Sequence, residues 1–139
     1  MFTSVSARSA AAYKIASIDA SVEMADSHQL VSLLFDALQQ QLGASRIHIT
    51  SGDVAKKCKS VNTALRILEE GLIAPLDMEN GGEVAANLRA LYDYCVRRLV
   101  LANAKNDVAG LQEISNLIEP VATAWKQIKG KGQPYLQPV

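Results

Sequence analysis

Two histidines, two cysteines and a run of lysines are the residues of this 139-residue chain whose types could carry chemistry. His28 and His48 lack the His-Glu-x-x-His, Cys-x-x-Cys or acidic spacing that builds a metal site. His28 falls at a helix start, where capping or exposure is the ordinary role, and His48 reads as a half-buried edge residue near a helix end. Cys58 and Cys95 stand singly inside helical patterns, which suits free thiols in a reducing compartment better than a disulfide or a metal pair. Lys56, Lys57 and Lys59 lie in the first turns of a helix, against its dipole, and read as a solvated face. Gly81-Gly82 follows no strand, so it makes no phosphate cradle. No spacing pairs a nucleophile with a base. The expectation is a protein without catalytic residues, cofactor or metal.

Composition narrows the class. The chain fits one domain and can bury a core unaided. It is 49% hydrophobic but only 5% aromatic, a balance of Leu/Ala/Val-rich helices. Lys+Arg and Asp+Glu both count 14, so no global field points to nucleic acid. No apolar run approaches the roughly 18–20 residues of a membrane span, so membrane insertion is not expected. The N-terminus, MFTSVSARSAAAYK, has no secretory apolar core. The location that follows is cytoplasmic.

Four long helices would position any site. The first opens at ADSHQL, with Asp26 as cap and Gln29 completing a capping box, and runs to about Ile49. A second starts at Gly52-Asp53 and ends at Pro75. Its Val54, Cys58, Val61, Leu65, Leu68 and Leu72 alternate steps of four and three. The third spans about Gly82 to Ala104. The fourth runs from an Asp107 cap to about Lys129, with Leu111, Ile114, Ile118, Val121, Trp125 and Ile128 as its stripe. Pro120 falls within it and predicts a kink. Short connections between helices of about 20 residues imply antiparallel neighbours. The expected fold is all-α: an antiparallel up-down-up-down four-helix bundle over residues 21–129. A short N-terminal helical segment (1–20) precedes it and a flexible tail (130–139) follows.

Apolar surface is in surplus. Leu30, Val31, Leu33, Leu34, Phe35, Ala37, Leu38 and Leu42 spread over about 200° of the first helix, where one packing face needs about 100°. On the third helix Leu88, Leu91, Cys95 and Leu99 form one arc flanked by Tyr92 and Val96, while Ala90, Tyr94 and Leu101 gather elsewhere. A helix touched by two bundle neighbours explains a wide face, and so does a groove open to a partner helix.

Three stretches carry a resemblance: DSHQLVSLLFDALQ, LDMENGGEVAANLRALYDYCVRRLVLAN and AWKQI, in this order and separation. From about Ala12-Tyr13 to Ile128 the chain resembles the flagellar secretion chaperone family FliS. It departs where the family more often has Pro (Ser27) and Gly (Ala37), and at Pro120. The resemblance implies a cytoplasmic chaperone that binds the disordered C-terminal segment of flagellin and prevents premature polymerisation. It also implies presentation of flagellin to an export gate component of the flagellar secretion apparatus, with a flagellar regulator as a further partner. The short N-terminal segment, anchored by Tyr13, Ile15 and Ile18, would cover part of the binding surface. Flagellin-binding candidates are then Tyr13 and Ile15, Leu34, Leu38 and Leu42 on the first helix, and Tyr92, Tyr94, Val96, Arg97, Leu99 and Leu101 on the third. Arg97 and Arg98 would pair with a client carboxylate or carbonyl, or with Asp93. Two alternatives are a self-associating helical-bundle adaptor and a histidine phosphotransfer module. The second is disfavoured because no mid-helix His is followed by Lys-Gly.

Overall fold

A computed structural model describes residues 27–128. The Asp26 cap, the N-terminal segment with Tyr13, Ile15 and Ile18, and the 130–139 tail lie outside the described residues. Within them α1 spans Ser27–Ser51, α2 Val54–Arg66, α3 Gly82–Lys105 and α4 Val108–Gln127, and no strand occurs. The protein is an all-α helical bundle.

Two connections use one device. Gly52, at φ 76°, closes α1: its N–H reaches the carbonyl of Ile49, and the next N–H, of Asp53, reaches that of His48. Asn106, at φ 52°, closes α3 in the same way through Asn103 and, from Asp107, Ala102. Left-handed residues at this position satisfy the helix's last carbonyls and reverse the chain. The aspartate that follows caps the next helix. Asp53 accepts from the Lys56 N–H at 3.1 Å, and Asp107 from that of Gly110 at 2.9 Å.

The second helix departs from expectation. From Ile67 to Ile73 the chain is π-helical, with Ala74 N–H bonded five residues back to Glu69. The buried face is also not the anticipated seam. Val54 is exposed, and Cys58 and Leu65 are half-buried, whereas Lys57, Ser60, Ala64 and Ile67 face inward with Val61, Leu68 and Leu72. Lys57 is therefore not on a solvated face. Its stem is buried and its ammonium donates to the Asn103 carbonyl at 3.0 Å and to Asn106 Oδ1 at 2.6 Å, tying α2 to the end of α3.

α1 packs against α2, the π segment and α4, but not α3. That explains its wide apolar face: Leu30, Leu34, Leu38 and Leu42 are fully buried by intramolecular neighbours. α4 runs through Pro120, and its stripe stays in phase on both sides, with Ile118, Ala122 and Trp125 buried. Side-chain bonds run antiparallel across its two interfaces. His28 meets Trp125 and Gln39 meets Ser115 across α1, while Arg98 meets Asp107 and Tyr94 meets Glu113 across α3.

Candidate partner-binding site

α1 and α3 begin where the π segment and α4 end, and at this end of the bundle the four elements leave an apolar cleft of about 370 Å³. Val31 and Phe35 of α1 and Leu72 of the π segment line it, with Leu76 from the connection that follows. α3 contributes Val84, Leu88 and Tyr92. α4 contributes Pro120, Val121, Ala124 and Trp125, and Ile128 lies just past its end. Val84 is 52% exposed, Ala124 is exposed, and Leu88, Val121 and Ile128 are half-buried, so the cleft opens to solvent. A largely preformed apolar concavity of this size suits a few large side chains of a partner.

One wall is fastened by a reciprocal clamp. His28 stacks on Trp125 with ring centroids 4.8 Å apart and planes 12° from parallel. The Trp125 indole N–H donates to the His28 carbonyl at 3.0 Å, and His28 Nε2 lies 2.7 Å from the Trp125 carbonyl. A carbonyl only accepts, so Nε2 is the donor in this bond. His28 is thus buried in the bundle rather than an exposed cap, and it fixes where Trp125 stands in the cleft. His48 is half-buried near the end of α1, as expected.

Farther along α3 the surface is polar. Tyr94 donates to Glu113, which also accepts from Arg98 Nε at 2.8 Å, and Arg98 Nη2 reaches Asp107 at 3.0 Å. Donation by Tyr94, then by Arg98, holds the Glu113 carboxyl below its ordinary pKa. Asp107 is lowered by the Gly110 backbone N–H first and by Arg98 second. The same bonds raise Tyr94 and Arg98. Gly110 makes room for this arrangement: a Cβ there would lie 2.7 Å from Arg98 Nη2. Asp93 pairs with Arg89 at 3.1 Å, not with Arg97 or Arg98.

The sequence candidates therefore separate. Tyr92 lines the cleft, 3% exposed. Leu34, Leu38, Leu42 and Leu99 sit in the core with no exposed surface. Val96 is half-buried, Arg97 is exposed, and Leu101 is 46% exposed away from the cleft. Tyr94 is half-buried with its hydroxyl engaged. Tyr13 and Ile15 fall outside the described residues. The sequence reading missed Val84, Val121, Ala124 and Trp125 as one surface. The available signal was that Val121 and Trp125 continue the apolar stripe of α4 to its C-terminal end. Cys95 is buried and free, its thiol pushed up to about 11 by burial, and Cys58 is half-buried and free. Among the described residues no cluster of His, Cys, Asp or Glu suits a metal ion, and no helix is long and apolar enough to cross a membrane.

Comparison with known proteins follows the same outline. The family described as Flagellar protein FliS matches residues 9–132. The flagellar secretion chaperone FliS of Salmonella typhimurium is 42% identical over 120 residues, 86% of this chain and 89% of the relative. That of Escherichia coli K12 is 36% identical over 121 residues, 87% and 89% of the two chains. The flagellar secretion chaperone FliSB of Pseudomonas aeruginosa is 37% identical over 116 residues, 84% and 91% of the two chains. A match across this much of the sequence, on a helical bundle with an open apolar cleft, establishes that the chain belongs to the FliS family of flagellar proteins.

Proposed function

We propose that this flagellar secretion chaperone binds the C-terminal segment of flagellin in the cytoplasm, keeps it from polymerising early and hands it to an export gate component. The apolar cleft carries the reading. It offers exposed Val84 and Ala124 beside half-buried Leu88 and Val121, the kind of surface an amphipathic segment covers with its own apolar side chains. From Val84 to Leu101 the α3 face extends about 25 Å, so a wrapped client would pass Tyr92, Val96 and Arg97 before reaching Leu101. Tyr94 would border that path. Leu34, Leu38, Leu42 and Leu99 would hold the helices that shape it rather than touch the client. Tyr13 and Ile15 would act from the N-terminal segment as a displaceable cover, and a flagellar regulator would compete for the same surface. No step in this role needs a catalytic group, a cofactor or nucleic acid.

Calorimetric titration of the full chain with a peptide of about 50 residues from the C-terminus of the cognate flagellin tests the reading. The expected result is saturable one-to-one binding with a large negative heat-capacity change, the signature of coupled folding on an apolar surface. A folded, helical protein that gives no heat with this peptide would remove flagellin as the client. If light scattering instead showed a stable dimer unaffected by the peptide, the self-associating adaptor would replace the chaperone reading.

A further inference from the structure

We propose that Pro120 turns the carbonyl of Asn116 into a polar anchor at the mouth of the cleft, where it and the Glu119 carboxylate take a basic side chain of the client, a guanidinium by preference. The inference rests on the flagellin reading above and deepens it, because it names what the same cleft demands of its partner beyond apolar side chains.

Pro120 lies inside α4. Its nitrogen carries no hydrogen, so the bond that an unbroken helix makes to the carbonyl four residues back, that of Asn116, is missing. Helix carbonyls point toward the C-terminal end. This one is therefore aimed along α4 toward the Pro120 ring, and Pro120 is part of the cleft lining. Asn116, Glu119 and Pro120 are all exposed, so water can serve the carbonyl when no client is seated. The Asn116 side chain is held the other way, because its Oδ1 accepts from Gln112 Nε2 at 2.9 Å, one turn toward the N-terminus. Glu119 brings charge to the same rim. Its Oε2 accepts from the Thr123 hydroxyl at 3.3 Å, and it makes no ion pair among the described residues.

Seating a client changes the balance. An apolar segment that covers Pro120, Val121 and Ala124 strips water from the neighbouring carbonyl, and an acceptor buried without a donor is costly. The cleft therefore discriminates among apolar segments: one that brings a donor to this point is held, and one that brings none is rejected. A guanidinium suits the two acceptors, since its fork of N–H donors reaches both while its charge stays beside Glu119.

A double-mutant cycle on the full chain reads the anchor. Pro120→Ala restores the missing N–H and satisfies Asn116 within α4, so the variant should fold at least as stably as the natural chain. The probe is the flagellin peptide of the titration above, with each Arg or Lys replaced in turn by Met, which keeps the stem and drops the donors. In the natural chain one such replacement should cost about tenfold or more in affinity, and in Pro120→Ala less than about threefold. Glu119→Gln should flatten the salt dependence of binding. An equal cost in both proteins, or no replacement that weakens binding to the natural chain, would overturn the proposal. If the peptide binds neither protein, flagellin falls as the client, and butylguanidinium, a guanidinium on a short apolar tail, decides the anchor. A saturable shift of the Asn116 carbonyl carbon-13 resonance in the natural chain but not in Pro120→Ala keeps it; an unmoved resonance discards it.

Discussion

Single residues at the α3–α4 junction set terms that can be measured separately. Gly110 sits where a Cβ would strike the Arg98 guanidinium, so Gly110→Ala must displace Arg98 from Asp107 and Glu113. Gly110 is the third residue of α4, where alanine is otherwise favoured over glycine by up to about 1 kcal/mol. In an Arg98→Ala background we therefore expect Gly110→Ala to stabilise by about 0.5–1 kcal/mol, and in the natural background to give less or the opposite sign, a coupling that urea denaturation of the four variants reads out. The acid response belongs to the same cluster. Asp107 and Glu113 are lowered from ordinary values of 3.8 and 4.5. Their contribution is complete above the unfolded values, from about pH 5 upward, and is lost as pH falls through the lowered folded values. Denaturation midpoints should drop below that pH, and Arg98→Ala should make the drop shallower. An equal slope in both proteins would assign the acid response to other carboxylates.

At the scale of elements, Lys57 behaves as part of a helix end. It closes α3 by donating to Asn103 and Asn106, and its stem lies along the α2–α3 contact. Lys57→Ala should cost about 1–3 kcal/mol, because it strips both the cap and the packing, while Lys57→Met should recover part of the loss by keeping the stem. Thermal unfolding of the two variants separates the contributions; equal losses would mean the stem adds nothing. Helix positions were legible in the sequence because caps act locally: Asp53 and Asp107 each stand three residues before the N–H they accept from. Tertiary choices were less so. Ala64 and Ile67 replaced Val54 and Cys58 on the buried face, because which side of α2 is covered depends on the helices packed against it, which lie far off in the sequence. His28 was unreadable for another reason: its partner Trp125 is 97 residues away, and no local pattern encodes that pair.

The whole molecule has two unlike ends. At one, Asp53, Lys57, Asn106 and the Arg98 cluster close the bundle with polar bonds. At the other, the four elements part and leave apolar surface. Ala124 offers a clean probe of that end because it is exposed on the lining. Ala124→Glu should leave the melting temperature nearly unchanged, as surface substitutions within about 0.5 kcal/mol do, and weaken flagellin-peptide binding at least about tenfold. Normal binding by this variant would exclude the cleft. The family could be read from the wording of the sequence, but the cleft could not. It belongs to no one helix and arises where α1 and α3 begin and the π segment and α4 end.

The placement of α1 has a consequence for biosynthesis. Its two flanks are covered by α2 and the π segment, which follow it in the chain, and by α4, which comes last. While a ribosome is still producing α3, the flank of α1 that bears His28 and Gln39 lacks its α4 partners, because Trp125 and Ser115 do not yet exist. The nascent chain is a half-built bundle with a sticky side, and it closes only when the last described helix has emerged. Translation arrested within α3 would thus release an aggregation-prone fragment.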